Sequence, residues 1–172
     1  MDRRMFSTGL LMGGLGLAAA PAMAQPSGHM GPMTEAERRH AMDTLQIGGV
    51  SLRTSQLAQS RANRPLVRQF ANFEVEESTT VAMILREITG MAPPPPRPAD
   101  QRVIERLERA RGPAFERDYL VGQLDGHRRL LRVQERYLNE GRNQHHRHIA
   151  MLARGRILEH IRELELLQRS RA

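Results

Sequence analysis

The chain of 172 residues has no cysteine, no tryptophan and no lysine, and only six aromatic residues. Without cysteine there can be no disulfide, no thiolate metal site and no lipid attached through sulfur. So few aromatic rings leave little surface for base stacking, which argues against a nucleic-acid partner. After the first 24 residues no stretch approaches the ~18 consecutive apolar residues needed to cross a bilayer, and no series of alternating ~10-residue segments suggests a barrel. The protein is therefore not expected to span a membrane. Nucleophilic catalysis also lacks its parts: there is no nucleophile-elbow motif, and the glycines after residue 24 do not form a phosphate-binding loop.

Every one of the 26 basic residues is arginine, which accords with the many alanines, glycines and prolines of a GC-rich coding sequence. Residues 25–100 carry eight arginines and eight acids, whereas residues 101–172 carry sixteen and ten, so the surplus of positive charge lies in the C-terminal half. Arg128, Arg129, Arg132 and Arg136 form a stripe at helical spacing, with Arg109 and Arg111 shortly before it. Such a stripe suits an anionic cell-envelope polymer or an acidic protein partner. The favoured reading of the stripe is an ordinary solvated helix face, interleaved with Asp125 and Glu135.

Residues 1–24 read as a signal peptide: a charged start with Arg3 and Arg4, an apolar run from Phe6 to Ala20, and Ala22-Met23-Ala24 before Gln25. The Arg3-Arg4 pair also fits a twin-arginine signal for export of folded proteins. Cleavage between Ala24 and Gln25 would leave a periplasmic or secreted protein. Residues 25–33 form a Gly/Pro/Met leader expected to be mobile, and residues 34–172 form the folded domain.

That domain reads as all α. Thr34-Glu35-Ala36-Glu37 is a capping box, opening a helix that runs to about Asn63 with a break expected at Gly48-Gly49. Its seam of Gly48, Ser51, Ser55, Ala58 and Ala62 is small enough for a neighbouring helix to approach closely. Pro65 suits the first turn of a second helix, which stops at Gly90. Five prolines among positions 93–98 impose an extended connection. Asp100 is expected to cap a short helix ending at Arg111-Gly112. A third long helix runs from Pro113 to Gly141, and Asn143 caps a fourth that ends near Arg169. Four long amphipathic helices make a four-helix bundle. A 25-residue helix is ~37 Å long, so the Pro-rich stretch and the short helix are long enough for a ferritin-like crossover between helices two and three.

Three ionisable residues sit on inward stripes. Glu77 lies among Leu66, Phe70, Phe73, Val81, Ile84 and Ile88, His127 among Leu120, Leu124, Leu130 and Leu131, and His160 among Ile157, Ile161 and Leu164. A buried charge is costly unless it is paired, hydrogen-bonded or bound to metal. Two readings stand side by side. Glu77, His127 and His160 bind one divalent ion, zinc or iron, as a two-histidine-one-carboxylate set. Alternatively they form a buried hydrogen-bond network with Tyr119 and Gln123 that fixes the register of the bundle. A ferritin-type di-iron centre is excluded, because residues 44–73 contain no acid and Glu37-x-x-His40 is the sole Glu-x-x-His. In Asn143-Gln-His145-His-Arg-His148, the histidines read as a solvated first turn. His29 and His40 have no partner at useful spacing.

Several of these residues carry a resemblance. Ser55-Gln56-Leu57-Ala58, then FANFEVEE at 70–77, then Phe115, Tyr119, Gln123 and His127 at every fourth position, then Ile157-Leu158-Glu159-His160, resemble the ferritin-like domain-of-unknown-function 4142 family over about residues 43–168. The resemblance implies an exported bacterial helical protein, of a kind often labelled a predicted outer-membrane protein, and implies no activity. Many members look as though they carry a histidine where this chain has Ser78. Without a catalytic constellation, the favoured expectation is a non-catalytic binding or stress-associated accessory protein.

Overall fold

A computed structural model describes residues 32–170. The expected signal peptide, its Arg3-Arg4 pair, the Ala24–Gln25 junction, His29 and most of the leader lie outside the described residues. Within them are five helices and no strand: α1 (Glu35–Arg61), α2 (Pro65–Thr89), α3 (Pro98–Arg109), α4 (Gly112–Glu140) and α5 (Gln144–Arg169).

Local chemistry sets most boundaries. At the start of α1 the Thr34 N–H donates to Glu37 Oε2 at 2.7 Å, and the Glu37 N–H donates to Thr34 Oγ1 at 3.4 Å. Pro65 opens α2, and Gly90 closes it in the left-handed conformation at φ 70°, its N–H donating to the Arg86 carbonyl. The Asn143 side chain accepts from the backbone of His145 and His146 at the head of α5. Two expectations need correction. The first helix passes through Gly48-Gly49 without a break, because packing against its neighbours outweighs the weak helix propensity of glycine. The short helix starts at Pro98, whose fixed φ suits a first helical position. Asp100 therefore lies inside the first turn and pairs with Arg129 at 3.1 Å.

The threading is that of a crossover bundle. Ala62–Arg64 join α1 to α2, and residues 141–143 join α4 to α5, each as a tight hairpin. Ser55 meets Tyr119, Ser51 meets Gln123 and Thr44 meets Gln134, so α1 and α4 run antiparallel. Thus α2 ends where α1 begins, and α4 begins where α1 ends. The connection climbs back along α1, as shown by Gln46 donating to the Pro95 carbonyl at 3.1 Å, Arg53 to Glu108 at 3.0 Å and Arg61 to the Glu108 carbonyl at 2.8 Å.

The core has three apolar levels. Val67, Phe70, Phe115, Tyr119 and Leu164 fill the end nearest the α1–α2 turn. Ile47, Leu130, Val133 and Ile157 occupy the middle, and Ala41, Leu45, Leu85 and Ile149 the far end. The small seam of α1 is buried at Ser51, Ser55, Ala58 and Ala62, as expected for close approach. Of the four long helices, α2 and α5 are the neighbours that pack least.

Candidate metal centre

The stripe of α2 that faces inward is Val67, Phe70, Ala71, Glu74 and Leu85. Phe73 and Leu66 are 44% and 60% exposed, whereas Phe70 is fully buried. Glu74 follows buried Phe70 by one turn and so points into the bundle, while Glu77 follows Phe73 and sits at the edge. His127 on α4 and His160 on α5 are buried, as their leucine and isoleucine neighbours require.

Three donor atoms converge there. Glu74 Oε2 is 3.2 Å from His127 Nε2 and 3.2 Å from His160 Nδ1, and the two ring nitrogens are 3.1 Å apart. Each group is also held from behind. The His127 Nδ1–H donates to the Gln123 carbonyl at 2.8 Å. That bond gives the neutral ring a lone pair on Nε2, turned toward the other two donors. Glu74 Oε1 lies 2.7 Å from both the Ser51 and the Ser78 hydroxyls. His160 Nε2 lies 3.4 Å from Glu77 Oε2, so a proton there leaves Nδ1 as a lone pair. Arg156, which can only donate, reaches the same nitrogen at 3.4 Å while its guanidinium holds Glu77 and Glu159, and that contact favours the other tautomer, with the proton on Nδ1 facing Glu74.

With the His160 proton on Nε2, three lone pairs crowd within 3.2 Å and repel one another unless a cation lies among them; with it on Nδ1, the ring donates to Glu74. A proton can serve. Burial opposes charge on His127, yet the adjacent Glu74 carboxylate outweighs it and raises the ring's pKa. For Glu74 burial likewise favours the neutral form, but His127, His160 and Ser51 hold the carboxyl below its ordinary range. A metal can serve as well. With bonds near 2.05 Å, donor atoms stand about 2.9 Å apart at octahedral angles and about 3.4 Å apart at tetrahedral ones. The observed separations of 3.1–3.2 Å fall between.

The sequence-expected residues divide accordingly. His127 and His160 are brought together. Glu77 is not at the point of convergence: it is half-buried, ion-paired with Arg156, and contacts the far nitrogen of His160. Glu74 takes its place. Gln123 and Tyr119 are buried and linked to the centre. The Gln123 amide donates to Thr54 and Ser55, Ser55 contacts the Tyr119 hydroxyl at 2.8 Å, and the Ser51 hydroxyl sits between Gln123 and Glu74. Of the arginine stripe, Arg128 pairs with Glu165, Arg129 with Asp100 and Arg136 with Asp43 at 2.7–3.1 Å, while Arg132 stands exposed. Most of that stripe is thus engaged across the bundle.

Sequence reasoning missed a second buried pair. His40 Nδ1 and His146 Nδ1 are 3.1 Å apart, and His40 Nε2 contacts Gln134 Oε1 at 2.7 Å. His145 and His148 are exposed, as expected, but His146 between them faces inward. Helical phase alone could have separated His146 from its neighbours; nothing local announced its partner on α1.

No curated protein and no solved structure matches the chain. A family model described as Domain of unknown function (DUF4142) matches residues 22–167. That span takes in α1 to α4, all but the last two residues of α5 and every residue of the centre, and the chain belongs to the DUF4142 family.

Proposed function

We propose that this protein is an exported helical bundle that binds a single divalent metal ion, zinc or ferrous iron, through Glu74, His127 and His160. The observation that carries this reading is the equal spacing of three donor atoms, each with a second hydrogen-bond partner fixing its orientation. Glu77 then has the role of the carboxylate behind a ligating histidine, an arrangement that orients the ring and raises its basicity. Export is supported by the charged, apolar and small-residue segments of residues 1–24. The reading is one of binding, and among the described residues no second metal-ligating set accompanies the centre.

Elemental analysis of the protein purified without a histidine tag tests the proposal. About one equivalent of metal is expected, with a rise in melting temperature on adding Zn²⁺ or Fe²⁺. His160→Ala should abolish both. Glu77→Ala should keep the stoichiometry while weakening affinity by about 10–100-fold. A wild-type melting temperature unmoved by metal and by chelator would end the metal reading.

A further inference from the structure

The centre lines a cavity of about 480 Å³ that opens to solvent at the side of the bundle. Its walls are aliphatic: Leu45 and Leu52 from α1, Val81 from α2, Leu130 from α4 and Ile157 from α5. Lining residues that are also exposed, Thr80, Ile84, Leu152 and Arg156, place the mouth between α2 and α5, where the bundle is packed least. Leu152 is 75% exposed, an apolar side chain standing at that mouth.

Gly48 and Gly49 line the same space from α1. Two adjacent glycines in a helix interior each cost roughly 0.5–1 kcal/mol relative to alanine. Close packing does not explain them, for a Cβ at either position would meet nothing within 4 Å. Side chains there would extend into the cavity. The pair therefore departs from local helix preference at the one place where doing so keeps the cavity empty.

Size and charge narrow the occupant. An apolar cavity of about 150 Å³ holds benzene, so by the same ratio the volume here has room for up to about nineteen carbons, and a ten-carbon tail fits well within it. A divalent ion held by one carboxylate and two neutral imidazoles leaves one net positive charge among buried ligands. Glu77 does not offset it, being already paired with Arg156, and Glu76, which also lines the cavity, is exposed to solvent. A monoanionic head neutralises it at the open coordination position. We infer that the cavity binds an amphiphilic monocarboxylate of medium chain length, its tail between Gly48-Gly49 and Ile157 and its carboxylate on the metal at Glu74, His127 and His160. This inference rests on the metal reading above.

Decanoate, with acetate as the tail-less control, tests it by calorimetry on the full folded chain. The Zn²⁺-loaded protein is expected to bind decanoate at least about tenfold more tightly than acetate, and about tenfold more tightly than the metal-stripped protein does. Gly49→Leu should fill the cavity and lose decanoate by a similar factor while retaining one equivalent of Zn²⁺. A helical circular-dichroism spectrum together with the retained equivalent of Zn²⁺ serves as the control that Gly49→Leu has folded. Full metal occupancy with no preference for decanoate over acetate would overturn the inference and leave the metal reading standing. Decanoate binding unchanged in metal-loaded Gly49→Leu would overturn it as well. Failure of the metal reading has a different signature: wild-type protein that takes up no Zn²⁺ at all.

Discussion

The bundle buries two histidine pairs whose ring nitrogens stand at the same separation, 3.1 Å, yet the two are built to opposite ends. His127 and His160 share a carboxylate, and all three donors point at one place. His40 and His146 have an amide instead, and their bonds run in line: His146 to His40, His40 to Gln134, Gln134 to Thr44. The charge of the third member decides the protonation. Glu74 raises the pKa of His127 against burial. Beside neutral Gln134, burial takes His40 down to about 4 and lowers His146 too, outweighing the pull of Asp43 on the one and of Glu37 on the other. Two buried imidazoles in contact are therefore not a site in themselves. Convergence and an anion make the difference.

Removing that anion should have the largest effect. Glu74→Gln turns the first cluster into a likeness of the second while keeping shape and the hydrogen bond from Ser51. Losing a group behind a ligand costs up to ~100-fold in metal affinity. Loss of the anionic ligand itself should exceed that, at about 1,000-fold or about 4 kcal/mol. Metal titration followed by calorimetry checks it. Affinity within a few-fold of wild type would show that the carboxylate is no ligand.

Acid should break the second cluster next. His40 has a folded pKa near 4 against 6.5 when unfolded. Between those values the unfolded chain binds more protons, so stability must fall as pH drops from 6.5 toward 4. At about 1.4 kcal/mol per pKa unit, His40 alone should cost roughly 3 kcal/mol across the window. Arg136 opposes a proton on His40 and Asp43 favours one. Both remain in His40→Gln, where the acid loss should shrink by that amount. Urea denaturation at pH 4, 5, 6 and 7 compares the two proteins. Parallel curves would mean that His40 is not held neutral.

How much of this was legible beforehand depends on whether the signal was local. Thr34 with Glu37, Pro65, Gly90 and Asn143 are short-range chemistry, and they placed helix ends to within a residue or two. His127 and His160 were legible because each interrupts an apolar stripe. Glu74 was passed over because Phe70 and Phe73 both look inward, and a helix three residues on has turned through most of a circle. Only packing chose Phe70, and with it Glu74 over Glu77. His40 and His146 lie 106 residues apart, so no spacing could join them. The cavity was least legible, since empty space has no residue of its own. Gly48-Gly49, read as a helix break, was its only trace.

Glycines sharpen the comparison at smaller magnitude. Gly141 lies beside the second cluster, where a Cβ would come 2.1 Å from the Tyr137 ring. That ring stacks on His40 with centroids 4.3 Å apart, so it cannot withdraw freely. Gly141→Ala should therefore destabilise by about 2 kcal/mol through overpacking. A neutral result in urea denaturation would show that this end of the bundle is looser than its burial indicates.

Gly48→Ala should have the smallest effect, with the opposite sign. Its φ is helical, its new methyl would meet nothing within 4 Å, and the unfolded chain would lose conformational freedom. A gain of about 0.5–1 kcal/mol is expected, seen as a small rise in urea midpoint with an unchanged slope. The same Gly-to-Ala exchange would then stabilise beside the cavity and destabilise beside the closed pair. If Gly48→Ala instead destabilised, something would have to occupy the space in front of it, and the contrast between an open centre and a filled one would fail at its cheapest test.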